Sequence, residues 1–396
     1  MNWLAGNKNR RKVRQLLKII QFDKPEKRKQ AAQALLQMGA EAVEPLIEEL
    51  GDRDATRRKL AAQALKRLGT IALPSLLSSL RNASPPIRRE ICAVLGNIGD
   101  RETTSALLQA LRDEDETVRA AAASALATLG DPQAVTPLVA ALSDPAPDVR
   151  IAAVTALARF RAPQTFVNMA DLLEDAEARV RMAAAKALGE TRHPAVVPYL
   201  VNALRDTGWW YEQEEPVQRL MGIIETFGVV ALEPLMEVAH DKEPMTRRYA
   251  IRLLGKLKHP RALETFQMAL YDTHYDVASA ALEALTDFGE QAIPIFGEAL
   301  SSPNDWIRQL AVTGLREIGS EQAVALLIEA LDDPSASVQS EAVQALGQLR
   351  AAQALPALRA LATGHSDREV ARLARAAVAR IEADLQTGFM PSQRQP

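Results

Sequence analysis

Cysteine is almost absent from this chain of 396 residues, and Cys92 is its single example. One cysteine excludes an internal disulfide and any zinc site built from cysteine pairs. We expect Cys92 to be a small buried core residue, because it lies beside the apolar positions of a helical segment. The chain also lacks an apolar run of ~18 residues and a secretory signal, which together predict a cytoplasmic protein that does not span a membrane.

Catalytic and metal-binding motifs are equally scarce. The sequence contains no Gly-rich phosphate loop and no G-x-S-x-G nucleophile motif. His274 and Asp276 lie close together, but two ligands from one loop are weak support for a metal site. The sequence therefore predicts a protein without catalytic residues, bound metal or cofactor.

Aromatic residues make up only 4% of the chain, whereas hydrophobic residues, most of them Ala and Leu, make up 47%. This composition favours closely packed helices over a β-sandwich. The net charge of −3 excludes a uniformly basic nucleic-acid-binding protein, so we expect no nucleic-acid partner. The charge is uneven, however: residues 1–30 contain ten Lys or Arg and two acids, a net +8 that indicates a docking patch.

A repeat of about 31 residues runs through the sequence, as "VRAAAASALATLG" and "VRIAAVTALARF" illustrate. Successive units are 30 to 32 residues apart, with one interval of 36. The arginine column that defines the twelve units contains Arg28, Arg58, Arg88, Arg119, Arg150, Arg181, Val217, Arg247, Ala278, Arg308, Gln339 and Ala371. Each unit predicts two helices, A and B, and helix B begins near the column. Apolar residues three, six, seven and ten positions later form one face of that helix.

Glycine follows the last apolar position of helix B in seven units, where it suits a left-handed C-terminal cap. No helical hairpin of this kind can bury its apolar face alone, but stacked hairpins can. We therefore predict an all-α fold: a right-handed α-solenoid, or superhelix, of about twelve two-helix repeats over residues 1–386. The polar residues 387–396 are predicted to be a disordered tail.

Residues 9–385 resemble the HEAT-repeat family, and more narrowly its short bacterial form named after phycobilisome lyases. The motif that carries the resemblance is Asp, about six residues, then "VR", "AAxAL" and "LG". In that family the Asp and Arg residues form a ladder that links successive hairpins. The resemblance implies a structural ladder here, rather than a phosphate-binding stripe, made of Asp113, Arg119, Asp144, Arg150, Asp175 and Arg181.

One HEAT-like enzyme, deoxyhypusine hydroxylase, holds two irons with His-Glu pairs. None of the five histidines in this sequence is followed by Glu, so that activity is not expected.

The segment "TGWWYEQEEP", residues 207–216, interrupts the repeat and lengthens one interval by five residues. It lies between helices A and B of repeat 7, on the edge of a solenoid where insertions commonly form a binding face. The predicted binding residues on this edge of repeats 7–10 are Trp209, Trp210, Tyr211, His240, Arg248, Tyr271, His274, Tyr275 and Trp306. The alternative is that the tryptophans fold back and cover a wider joint between repeats 6 and 8.

The N-terminal segment also allows two interpretations. Val13, Leu16, Leu17 and Ile20 follow helical spacing, which fits either a capping A helix of the first repeat or a helix on an anionic membrane surface. In both cases exposed cations remain available to an acidic partner or to anionic lipid. The cations in question are Lys8, Arg10, Arg11, Lys12 and Arg14.

Two functions follow from these observations. The first is a non-catalytic scaffold or adaptor that binds another protein through its concave face and the aromatic edge of repeats 7–10. The second is implied by the resemblance: a phycobilin lyase-like protein that holds a bilin. Aromatic side chains would stack on the chromophore, arginines would bind its propionates, and an acid would meet its pyrrole N–H groups.

Overall fold

The computed structural model describes residues 2–206, Trp209 and residues 214–387. Within these ranges the regular structure is entirely helical. Every helix found there is too short or too polar to cross a lipid bilayer. Trp210 and Tyr211 lie outside the described residues, as does nearly all of the predicted tail.

The chain forms two compact units, Met1–Ile223 and Ile224–Pro396. Helices A and B alternate in each, with odd numbers for A and even numbers for B. The helices that begin in the first unit are α1 Asn2–Phe22, α2 Pro25–Gln37, α3 Ala40–Glu49, α4 Ala55–Leu68, α5 Leu73–Asn82, α6 Pro85–Ile98, α7 Thr104–Ala110, α8 Glu116–Leu129, α9 Val135–Ala141, α10 Pro147–Phe160, α11 Phe166–Asp171, α12 Ala178–Thr191, α13 Val197–Asn202 and α14 Glu214–Glu225.

The second unit continues the same alternation. Its helices are α15 Leu232–Val238, α16 Pro244–Leu257, α17 Leu263–Leu270, α18 Tyr275–Thr286, α19 Ile293–Ala299, α20 Asp305–Ile318, α21 Glu321–Glu329, α22 Ala336–Gln348, α23 Leu355–Gly364 and α24 Arg368–Thr387. Short 3-10 turns adjoin many A helices, at Gly69–Ala72, Arg101–Thr103, Pro132–Ala134, Pro163–Thr165, Leu172–Glu174, Pro194–Val196, Ala203–Arg205, Gly228–Ala231, Pro260–Ala262, Gly289–Ala292, Ala330–Asp332 and Ala352–Ala354. The prediction of an all-α solenoid of two-helix repeats is confirmed.

The B helices bury the face that the sequence pattern predicts. In α8, Ala122, Ala125 and Leu126 are at most 3% exposed. Burying one leucine side chain contributes about 1.5–3 kcal/mol, and nearly every repeat buries several such residues. Cys92 is fully buried, as predicted, and this burial raises the pKa of its thiol to about 12. The thiol is therefore protonated and unreactive at neutral pH.

Small residues set the distance between successive B helices. A Cβ atom built on Gly96 of α6 would lie 2.8 Å from the Cα atom of Ala125 in α8. The two backbones are thus in direct contact, and no groove remains between them. Gly189 of α12 leaves space in the same way, because its Cβ would lie 2.6 Å from Ile223. Gly189 accommodates the large side chain that replaces the usual alanine in repeat 7.

Left-handed residues end many of the B helices. All seven glycines expected to cap a helix have positive φ, among them Gly130 with φ of 67°. Arg161 occupies the equivalent position in repeat 5 with φ of 49°. Because a non-glycine residue there costs roughly 1–2 kcal/mol, the fold tolerates local strain to keep the turn geometry constant.

Helix α1 packs as the A helix of the first repeat. Val13 and Leu17 are fully buried, and Arg14 forms an ion pair of 2.5 Å with Glu49 on α3. Arg10 pairs with Glu48 one residue earlier, also at 2.5 Å. The capping interpretation therefore fits the packing of α1, and two of its cations are already neutralised by helix A of the second repeat.

The close contact at Gly96 can be tested with an alanine substitution. Gly96→Ala forces α6 and α8 apart and should lower the free energy of unfolding by about 1–3 kcal/mol. Gly222→Ala is the matched control, because open space surrounds the Cβ position of Gly222 within α14. The control should be neutral or should stabilise the protein by about 0.5–1 kcal/mol. Urea unfolding followed by circular dichroism measures both, and equal effects would contradict the packing argument.

Candidate binding surface

Arginine–aspartate pairs connect successive repeats. In each pair the guanidinium Nε donates to one carboxylate oxygen at 2.6–2.8 Å and Nη2 donates to the other at 2.6–2.9 Å. We call these pairs the arginine ladder. Its members are Arg88–Asp113, Arg119–Asp144 and Arg150–Asp175 in the first unit and Arg247–Asp272 and Arg308–Asp333 in the second.

The third nitrogen of each ladder arginine binds the loop between helices A and B of its own repeat. Nη1 of Arg150 donates to the main-chain carbonyls of Asp144 at 2.9 Å and Pro145 at 3.2 Å. Arg181 makes the same two contacts to the carbonyls of Asp175 and Ala176. One side chain thus fixes its own loop and the loop of the next repeat. All six residues that the resemblance implied take part in these contacts.

The ladder carboxylates are largely removed from solvent. Burial alone would raise the pKa of Asp175, but hydrogen bonds from Arg150 and from the Glu177 N–H, together with the arginine charges, outweigh it. The pKa of Asp175 therefore lies below its usual range, and the pKa values of Asp144 and Asp272 are lowered in the same way. These groups stay ionised at neutral pH and hold the A–B loops in place.

Substitution of Arg150 should show what one ladder pair contributes. Arg150→Ala leaves the buried carboxylate of Asp175 without its partner and should cost about 2–3 kcal/mol of stability. Arg179→Ala is the matched control, because Arg179 also bridges two repeats, to Asp148 at 2.6 Å, but both side chains are more than half exposed. That loss should stay below about 1 kcal/mol. Chemical denaturation compares the two, and a larger loss in the control would contradict the structural role of the ladder.

Trp209 folds back onto repeat 6 within the first unit. Its side chain is 1% exposed, and its indole N–H donates to the main-chain carbonyl of Leu173 at 3.2 Å. A buried indole with a satisfied N–H is a packing residue and presents no surface to a ligand. The geometry of Trp209 favours the joint-covering interpretation of the insertion over the recognition one.

Two variants of Trp209 distinguish the stability contributed by its buried apolar area from that contributed by its hydrogen bond. Trp209→Ala should cost about 3–5 kcal/mol, since it empties a packed site. Trp209→Phe keeps most of the area and should cost only about 1–3 kcal/mol for the carbonyl of Leu173 left without its donor. Thermal and chemical unfolding measure both values. A Trp209→Ala variant as stable as the parent would show that the indole does not support the joint.

Two exposed aromatic residues, Tyr271 and Tyr275, lie in the second unit. Tyr275, the first residue of α18, is 64% exposed, and its ring centroid lies 6.1 Å from that of Trp306 at a tilt of 39°. Trp306 follows Asn304, whose side chain caps α20 by accepting a hydrogen bond from the Trp306 N–H at 3.0 Å. The starts of two successive B helices therefore bring the two rings side by side.

A shallow groove of about 480 Å³ lies along α17, in the same repeat as Tyr275. Its walls include Met268, which is 57% exposed, and Tyr271, which is 40% exposed. Burial and the negative charge of Glu298 raise the pKa of Tyr271, so its phenol remains a neutral hydrogen-bond donor. The prediction named Tyr271 but not Met268, which could have been found only as an exposed apolar residue at the end of a short A helix.

His274 joins the arginine ladder instead of a metal site. Its Nδ1 lies 3.3 Å from the Asp272 carboxylate and 3.3 Å from the guanidinium of Arg247. Within the described ranges, no group of three His, Cys, Asp or Glu side chains is placed to hold a metal ion. His240 is exposed and Arg248 half-buried, both in the second unit.

Sequence comparison identifies the repeat. A family model described as HEAT repeats matches residues 73–146, 135–220, 232–305 and 293–379, which together make up well over half of the chain. The chain belongs to the HEAT-repeat family. The match concerns HEAT repeats in general, so the narrower phycobilisome-lyase form stays a prediction. No curated protein sequence matches the chain.

The fold of this chain is similar to that of a solved structure. A structure of Kap95p, whose binding induces the switch loops of RanGDP to adopt the GTP-bound conformation, is 13% identical with a TM-score of 0.51 and covers 95% of this chain. Kap121p is 15% identical with a TM-score of 0.42 over 96% of this chain. This chain spans 62% of the length of the Kap95p chain and 54% of the Kap121p chain. At such low identity the likeness concerns the fold alone.

Proposed function

We propose that this HEAT-repeat protein is a non-catalytic scaffold that binds another protein through its second unit. The binding surface consists of Met268, Tyr271, His274, Tyr275 and Trp306, which we call the aromatic surface. The observation that carries the proposal is the exposure of Tyr275 beside Trp306. Large aromatic residues at a surface cost free energy in water, and Tyr and Trp are enriched among residues that dominate protein interfaces.

The surroundings of the aromatic surface favour binding because they are rigid. Arg247 and Asp272 fix the loop that leads from Tyr271 to Tyr275, and the pair Arg308–Asp333 fixes the start of α20. A preorganised surface loses little conformational entropy when a partner binds. The groove beside Met268 can accept an apolar side chain of the partner, while the phenol of Tyr271 offers a hydrogen bond.

The acidic residues near the groove beside Met268 favour a partner segment that carries positive charge. Glu264 and Gln267 line it, and Gln267 donates a hydrogen bond of 2.7 Å to Glu298. An apolar anchor flanked by Lys or Arg would complement these groups. We place this function in the cytoplasm, in line with the single cysteine of the chain.

The alternative function, a phycobilin lyase-like protein that binds a bilin, stays a prediction. It would use the same aromatic rings to stack on the tetrapyrrole and nearby arginines, such as Arg248, for the propionates. Adding a bilin to the purified protein distinguishes it, because binding would change the absorption spectrum of the chromophore. A protein partner would leave that spectrum unchanged.

Truncation of the aromatic surface tests the scaffold. Affinity columns carry the parent protein, the variant Tyr275→Ala/Trp306→Ala and the control Val229→Ala/Val230→Ala, and quantitative mass spectrometry identifies what each retains from a native extract. The two control valines are exposed in the same unit but lie outside the aromatic surface. A partner should be retained by the parent and the control and lost from the variant, with an affinity loss of about 2 kcal/mol or more.

The stability of the variant should change by less than about 1 kcal/mol, as for other surface substitutions. Identical sets of proteins on the three columns would refute the proposed surface.

A further inference from the structure

A second groove lies in the first two repeats, between α2 and α4, and has a volume of about 280 Å³. Its floor is apolar and includes Ile20, Leu36 and Leu60, all half-buried. Its rim is formed by the exposed cations Arg28, Lys29 and Arg67. Its lining contains no acidic residue. We call it the α2–α4 groove.

The groove is lined by a large residue at a position that is small in other repeats. Leu36 occupies the position that Gly96 holds in repeat 3 and Gly189 holds in repeat 6, eight residues after the arginine column. Gly96 brings α6 and α8 into backbone contact, whereas the leucine side chain of Leu36 keeps space open beside Ala64 of α4. The apolar floor is thus a consequence of sequence differences between repeats.

The cations at the rim are not neutralised by the fold. Among the described residues, no carboxylate forms an ion pair with Arg28, Lys29 or Arg67, whereas Arg10 and Arg14 of α1 pair with Glu48 and Glu49. The reason lies in the arginine ladder. Each ladder Asp stands six residues before the arginine column of the next repeat. Asp52 stands there before Arg58, but its carboxylate pairs with Arg57 at 3.0 Å instead of with Arg28.

The next arginine of the column, Arg58, also lacks a ladder carboxylate. Nη1 of Arg58 donates to the carbonyls of Asp52 and Arg53 at 2.9 and 3.1 Å, as in the intact ladder. The position of the carboxylate, six residues before Arg88, is occupied by Asn82. In the part of the chain that the structure describes, Nε and Nη2 of Arg58 have no acidic partner. Arg58 therefore holds its guanidinium group like the arginines that bind carboxylates elsewhere in the protein.

We propose that the α2–α4 groove binds an acidic amphipathic helix of a partner protein. The leucines and Ile20 would contact its apolar face, and Arg28, Lys29 and Arg67 would pair with its carboxylates. An amphipathic helix in an apolar groove is a common recognition mode, and the charges select an acidic one. The net +8 of residues 1–30 would speed the encounter. This site is separate from the aromatic surface and does not depend on it.

The probe is a fluorescein-labelled helical peptide of about 18 residues, or five turns, in which pairs of Glu and Leu alternate. Fluorescence anisotropy measures its binding to the full-length protein. The variant Arg28→Glu/Arg67→Glu should bind about tenfold more weakly or worse, since it replaces two attractions by two repulsions. The control Arg81→Glu/Arg112→Glu makes the same charge change at exposed arginines outside the groove and should stay within about twofold of the parent. Thermal unfolding checks that both variants are folded.

Three results would overturn the proposal. Equal weakening by both variants would mean that net charge alone attracts the peptide. Binding of polyglutamate as tight as that of the amphipathic peptide would mean that the apolar floor is not used. Sedimentation with phosphatidylserine vesicles that is lost in the groove variant, without binding of the peptide, would assign the groove to a membrane surface. Tight binding that requires both the leucines of the peptide and the groove arginines supports it.

Discussion

The bidentate contact between an arginine of one repeat and an aspartate of the next is the constraint on which the positions of the A–B loops depend. One guanidinium holds two carbonyls of its own A–B loop and the carboxylate that begins the next loop. Hydrophobic burial stabilises the stack of helices but permits sliding between them. The hydrogen bonds of the ladder are directional, so they fix the register of the loops. Whatever stands at the starts of the B helices, such as Tyr275 and Trp306, is positioned by it.

The repeated helices of the fold could be predicted because the same pattern of residues recurs in every repeat. The recurrent Ala, Leu and Gly positions indicated the helices, their buried faces and the left-handed caps, such as that at Gly130. Other features of the fold depend on contacts between individual residues, and a repeating pattern does not reveal such contacts. The space left by Gly189 for Ile223 joins residues in two repeats, and neither residue alone indicates the other.

Whether the Trp209 side chain is buried or exposed could not be predicted either. An indole combines a large apolar area with one N–H donor, so it is equally suited to an interface and to a packed joint. Only the carbonyl of Leu173, 3.2 Å from the indole nitrogen, decides between them. The location of Tyr271 and Tyr275 at the loop edge could be predicted. Both residues lie in an A–B loop of regular length, and the position of that loop follows from the repeat. Met268 was missed because a methionine in a helix is usually a core residue.

The two binding surfaces differ in whether the arginine ladder beside them is complete. Beneath the aromatic surface the ladder is complete, with Arg247–Asp272 and Arg308–Asp333, so loop positions are rigid and the arginine charges are neutralised. In the first two repeats the carboxylate of Asp52 pairs with Arg57, and Asn82 stands where the aspartate for Arg58 would be. Arg28 and Arg58 therefore have no acidic partner among the described residues. A carboxylate from outside would meet the same fork geometry that the protein uses internally, with a similar strength of charge-assisted hydrogen bonding. Where the structural carboxylate is replaced or engaged by another residue, the arginine of the ladder is therefore left to bind a carboxylate from outside without any change in the fold.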